Sequence, residues 1–125
     1  MQVYIVDDDE AVGRTIARFA NRAEWDTVCF DSADGFLAQI QELPFGCIVS
    51  DINMPGTNGI ELIEILHARR PEWPVIMMTA FDACKLRQKA QDVGASAFLR
   101  KPFEPEELLV ALSRSLGSSD GGEKS

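Results

Sequence analysis

Apolar residues along the chain follow two alternating patterns. Five short runs, Val3–Val6, Thr27–Phe30, Cys47–Val49, Val75–Met78 and Ala97–Leu99, are rich in β-branched residues and too short for helices. They are apolar almost throughout, which predicts strands covered on both faces. Between them the apolar positions recur at helical spacing. Val12, Ile16, Phe19 and Ala23 form the stripe of a first helix. Ser32 is the expected N-cap of a second, which buries Phe36, Leu37 and Ile40 and stops at Pro44. The third carries Ile63 and Leu66 and ends at Arg69, Arg70 and Pro71, bases at the negative end of the helix dipole and then a stop. The fourth, over about Asp82–Val93, has a thin stripe of Ala83, Leu86, Ala90 and Val93, and Gly94 ends it. The fifth follows Pro105 with Leu108, Leu112 and Leu116.

Strict alternation of strand and helix with short links implies an α/β fold with a parallel sheet, right-handed crossovers and helices on both faces. For five strands the common order is 2-1-3-4-5, with the ligand crevice at the carboxyl ends of strands 1 and 3. Residues 1–117 make one domain, and 118–125 read as a polar tail or the start of a linker.

Composition narrows the function. The 125 residues suit a single core, and twenty acids against twelve bases give a net charge of −8. That excludes direct nucleic-acid binding as the main task of this domain. Cys29, Cys47 and Cys84 lack any CxxC spacing and read as small buried hydrophobes in a reducing compartment. No apolar run reaches the length of a membrane span, and the N-terminus has no basic region ahead of Met-Gln-Val-Tyr-Ile-Val. A cytoplasmic location is the expectation.

The unusual polar residues follow the strands. Asp7, Asp8 and Asp9 come directly after strand 1, Asp51 after strand 3, Thr79 after strand 4 and Lys101 after strand 5. All converge on one rim. One aspartate can cap the first helix, but three facing Asp51 repel one another unless a cation intervenes. Such oxygen ligands suit Mg²⁺. Asp51 precedes Ile-Asn-Met-Pro-Gly, which cannot start a helix at once, so it is no cap. A carboxylate beside Mg²⁺ can attack a phosphoryl group and form an acyl phosphate, with Lys101 and Thr79 meeting the other phosphoryl oxygens.

The stretches VYIVDDDE, IVSDINMPGTNGIELI, VIMMTAF and GASAFLRKPFEPEELL resemble those of a two-component response-regulator receiver domain, from Gln2 to about Leu116. The resemblance implies the flavodoxin-like doubly wound fold and a bacterial phosphorelay switch fed by a sensor histidine kinase or phosphotransfer protein. It implies Asp51 as phosphoacceptor, with Asp8 ligating Mg²⁺ directly, Asp7 acting mainly through water and the Asn53 backbone carbonyl as a further ligand. It implies that Lys101 contacts the phosphoryl group, that the Lys101–Pro102 bond is cis, and that Thr79 and Phe98 form the switch. Phe98 stands where the family often has Tyr, which removes a hydroxyl from the output surface. The fourth helix, fifth strand and fifth helix are expected to carry the partner or homodimer contact, since the thin stripe of the fourth helix leaves it free to shift. Beyond its own phosphorylation and dephosphorylation, no enzymatic activity is expected.

Other residues read blandly. Asp9 is surface charge, His67 a solvated helix-face residue, and Lys85, Arg87 and Lys89 a solvated face. Gly56 and Gly59 are loop geometry. Two rivals remain on this topology. A Mg²⁺-dependent aspartyl-phosphate phosphatase would need a second Asp where Asn53 stands. A flavodoxin-like electron carrier would need a phosphate loop where three aspartates repel phosphate.

Overall fold

The computed structural model describes residues 2–52, 56–79, 84–101 and 103–124, without the side chains of 84–87 and 116–124. Strands β1 (Gln2–Val6), β2 (Asp26–Phe30), β3 (Gly46–Asp51), β4 (Val75–Thr79) and β5 (Ala97–Arg100) alternate with helices. These are α1 (Glu10–Arg22), α2 (Ala33–Gln39), α3 (Gly59–Arg69), α4 (Cys84–Asp92) and α5 (Pro105–Lys124). Every strand pairing is parallel and the order is β2-β1-β3-β4-β5, as the alternation predicts.

Successive strand residues point to opposite faces, so the sheet builds two cores. Tyr4, Val6, Ile48 and Met77 pack with Phe36 of α2, Leu62 and Leu66 of α3 and Ala90 of α4. Val3, Ile5, Val49 and Met78 pack with Ile16 and Ala20 of α1 and Leu108 and Leu112 of α5. Tyr4 stacks on Trp73 with ring centroids 5.6 Å apart. Its hydroxyl donates to the Pro44 carbonyl at 2.6 Å, so the buried phenol is satisfied.

Several local expectations change. Coverage on both faces holds for β1, β3 and β4 but not for β2, whose residues are exposed or half-buried because it is an edge strand. Cys29 lies on that edge and is exposed, whereas Cys47 is buried in the central strand as expected. The stripe of α1 is rotated: Gly13, Ile16 and Ala20 are buried, while Ala23 is the exposed C-cap. Gly13 and Ala20 are small enough to bring the helix against the sheet, and Val12 and Phe19 flank this line. Ser32 caps α2, accepting from the Gly35 amide at 3.0 Å. That helix stops at Gln39 and passes into a 3₁₀ turn at Ile40–Glu42 before Pro44. Helix α5 runs on to Lys124 through residues expected as a tail, despite three glycines that each cost about 1 kcal/mol. The calls on Asn53, Ala83 and the Lys101–Pro102 bond, and on the side chains of Cys84, Lys85, Leu86, Arg87 and Leu116, lie outside the described residues.

Candidate functional site

The rim of the sheet at the carboxyl ends of β1, β3, β4 and β5 gathers the polar residues. A carboxylate oxygen from each of Asp7, Asp8 and Asp51 lies within 4.8 Å of the others. Asp7 is buried, Asp51 partly so and Asp8 exposed. Lys101, directly after β5, reaches across the rim. Its Nζ is 3.1 Å from Asp7 Oδ2 and 3.4 Å from Asp51 Oδ2.

Backbone geometry holds each of these in place. The Asp7 amide donates to the Phe30 carbonyl at 3.1 Å, tying the ends of β1 and β2 together. Asp7 Oδ1 accepts from the Asp9 amide at 2.9 Å, which leaves Oδ2 for Lys101. Past Asp51, the Ile52 amide donates to the Met78 carbonyl at 3.0 Å. The Lys101 amide donates to the Thr79 carbonyl at 2.7 Å, which sets β5 against β4 at the rim. Thr79, 7% exposed, ends β4.

Burial alone would lower the Lys101 pKa. The hydrogen bond to Asp7 and the negative charges of Asp51 and Asp7 outweigh it, and the net direction is upward. Lys101 is therefore a fixed cation at neutral pH. Three carboxylates and one ammonium leave two formal negative charges in the crevice, the charge that one divalent cation neutralises. The donors are hard oxygens, as Mg²⁺ prefers. Opposite ligands of an octahedral Mg²⁺ lie about 4.2 Å apart, so carboxylates within 4.8 Å of one another need only slight closure or a bridging water. The residues fit such an ion.

Phe98 is paired with Met77 in the β4–β5 register, and Thr79 is two residues further along β4. Thr79 and Phe98 thus share the sheet face that carries α3 and α4. Phe98 is half-buried against that core.

Other residues depart from their expected roles. Asp9 is not idle surface charge. It is the N-cap of α1, accepting from the Ala11 amide at 3.0 Å and the Val12 amide at 3.4 Å. That division of labour frees Asp7 and Asp8 for the crevice. His67 is half-buried, not solvated: its ring packs on Gly94, where an added Cβ would meet Cε1 at 2.0 Å. Gly59 is the first residue of α3 rather than a loop position, and a Cβ there would stand 2.6 Å from the Asp51 carbonyl oxygen. Sequence reading missed this contact because it joins two elements; the Asn58–Glu61 capping box was the available signal that α3 begins there. Gly56 does follow its expectation, with φ +77° in the loop after Asp51.

Comparison with known proteins agrees with this geometry. The response regulator receiver domain family matches residues 3–113. The transcriptional regulatory protein FixJ of Bradyrhizobium diazoefficiens is 34% identical over 123 residues, which is 98% of this chain and 60% of FixJ. The response regulator protein FleR of Pseudomonas aeruginosa is 34% identical over 124 residues, 98% of this chain and 26% of FleR. Among solved structures, full-length FixJ from B. japonicum superposes with a TM-score of 0.89 at 33% identity, covering 98% of this chain and 61% of that one. A CheY-like receiver domain from Methanospirillum hungatei gives a TM-score of 0.90 at 27% identity and covers 97% of both chains. The chain thus spans less than two-thirds of the length of the curated relatives it matches, 60% of FixJ and 26% of FleR. With the five-stranded order, the acidic rim and the facing lysine in place, this chain belongs to the response regulator receiver domain family.

Proposed function

We propose that this receiver domain is a switch whose phosphoacceptor is Asp51, loaded by the phosphohistidine of a sensor histidine kinase or phosphotransfer protein. The observation that carries the reading is Lys101 Nζ held 3.4 Å from Asp51 Oδ2 at the mouth of the crevice. In the transfer, a carboxylate oxygen of Asp51 forms a bond to phosphorus as the nitrogen–phosphorus bond of the donor breaks, and the freed imidazole takes up a proton. Asp51 is the nucleophile because it combines partial exposure with the Lys101 contact, whereas Asp7 is buried. Lys101 neutralises one phosphoryl oxygen, and the Thr79 hydroxyl donates to another. No general base is needed, since a carboxylate attacks as it stands. Mg²⁺ would be held by Asp8, Asp51 and the Asn53 carbonyl, with Asp7 acting through water; when bound it supplies charge neutralisation for the transferred group.

The domain catalyses nothing beyond gain and loss of its own phosphoryl group. Thr79 following the phosphoryl oxygens would draw Phe98 inward along the face they share, shifting α4, β5 and α5. An exposed Val110 borders a groove with Ala97, Phe98, Leu99 and Glu107, which suits a homodimer or partner contact there. Residues 118–125 are read as a polar tail or the start of a linker, and the location as cytoplasmic. No helix among the described residues is long and apolar enough to cross a membrane. Asp51→Asn, exposed to a phosphodonor with Mg²⁺, should gain no phosphoryl mass and no change in amide exchange across 84–100. Labelling of that variant at the wild-type rate would overturn the assignment.

A further inference from the structure

Strand β2 ends the sheet on one side, and its outer edge lies open: Asp26, Val28 and Cys29 are exposed. The Phe30 carbonyl accepts from the Asp7 amide, so it points towards β1. Main-chain polar groups alternate in direction along a strand, which turns those of Val28 towards β1 and those of Thr27 and Cys29 outwards. Side chains alternate between the faces. Thr27 Oγ1 donates to Asn21 Oδ1 at 3.1 Å and the Cys29 thiol to the Gly13 carbonyl at 3.7 Å, so both lie on the α1 face. Phe30 packs on the opposite face against Phe36, which puts Asp26 and Val28 on that side.

Helix α1 runs along this edge with Arg14, Arg18 and Arg22 in one row, each four residues from the next. The three arginines and Cys29 line a single groove of about 520 Å³. They form a local cationic row on a chain of net charge −8. Arg14 has an exposed partner in Glu10 at 3.6 Å, whereas Arg18 and Arg22 form no ion pair among the described residues. Four helical residues advance about 6 Å, and two strand residues about 6.6 Å. An extended chain paired on β2 would therefore set alternate side chains against successive arginines, and acids suit those positions. The intervening side chains would meet Val28, 40% exposed, where an apolar residue gains, and Asp26, where an acid is repelled. A second copy of this chain is a poor occupant, because antiparallel pairing of two β2 edges brings the two arginine rows together.

We propose that the open edge of β2 and the arginine row of α1 form a docking site for a partner's extended acidic segment, which adds to the sheet as a further strand with acids at every second position. Main-chain bonds to Thr27 and Cys29 supply affinity, and the arginines select the sequence.

The probe is a short capped peptide of alternating glutamate and valine, titrated into the full chain at low salt and followed by NMR amide shifts and hydrogen exchange. It should bind saturably. The amides of Thr27 and Cys29 should gain protection, while that of Val28, already turned to β1, should not change. Arg18→Glu should weaken binding about fivefold, the worth of one good exposed ion pair. The new carboxylate sits four residues from Arg14 and from Arg22, so α1 keeps its stability. Arg69→Glu, the same charge change on the exposed surface of α3, should leave binding nearly unchanged. A fully N-methylated copy of the peptide keeps its charges but cannot donate to the edge, and it should not bind. Failure of the parent peptide to bind overturns the proposal. So does binding without protection of Thr27 and Cys29, equal binding of the N-methylated copy, or an equal loss in Arg69→Glu. Tighter binding of a short duplex DNA, lost in Arg18→Glu, would make the row a phosphate-binding surface and overturn it as well.

Discussion

Lys101→Met removes the cation that faces Asp7 and Asp51 at 3.1 and 3.4 Å. The Asp7 side chain is 1% exposed, so water cannot replace the lost partner in place. Deleting one member of a buried ion pair costs about 3–5 kcal/mol. Two features reduce that here: Lys101 is 20% exposed, and Asp7 keeps the Asp9 amide at 2.9 Å. The expected loss is about 2 kcal/mol. A 125-residue domain unfolds with an entropy near 0.26 kcal/mol/K, so Tm should fall by about 8 °C. The assay is scanning calorimetry at pH 7 in chelator on wild type, Lys101→Met, Asp7→Asn and the double variant. In the Asp7→Asn background the stranded anion is gone, and most of the loss should vanish. Alkaline pH gives an independent check. The folded pKa of Lys101 lies above its ordinary 10.5, because the Asp7 hydrogen bond and the charges of Asp51 and Asp7 outweigh the downward push of burial. The pair's contribution is thus complete below the unfolded value and is lost as pH rises through the folded one. The gap between wild type and Lys101→Met should close only above pH 10.5. An equal loss with and without Asp7 would refute the reasoning.

Further outcomes follow from the same contacts. Mg²⁺ should raise the wild-type Tm by binding the native state alone, and Asp8→Ala should shrink that rise most; equal shifts would remove Asp8 from the ligand set. Gly59→Ala should cost about 1–3 kcal/mol in denaturant unfolding, since its Cβ would come 2.6 Å from the Asp51 carbonyl oxygen and force α3 away from β3. Burial pushes the Cys47 thiol up to about 12, so an alkylating reagent should reach it only on unfolding, whereas exposed Cys29 should react in the native protein. Mass mapping of the alkylated sites checks both.

The order of elements and the membership of the rim were legible in the sequence because both rest on strong local signals. Short β-branched runs and helical stripes set the alternation, and each of Asp7, Asp8, Asp51, Thr79 and Lys101 falls at the end of a run. Three adjacent aspartates offered no local cue to which one caps α1; geometry gives that task to Asp9. The edge position of β2 exposes Cys29, because an apolar run looks alike whether a sheet neighbour or helix covers it or not. The packing of His67 on Gly94 and the bond from Thr57 to Asp34 join residues far apart in the chain. Such contacts depend on how α2, α3 and the strand ends meet, and periodicity carries no record of that.

The central claim is that Asp51 alone accepts the phosphoryl group. Reduction of the phosphorylated protein with borohydride converts an aspartyl phosphate to homoserine, and peptide mapping by mass spectrometry then locates it. The account predicts homoserine at position 51 in the wild-type chain and at no other position, with the signal lost in Asp51→Asn. Homoserine at Asp7, Asp8 or Asp9 in wild type would contradict it.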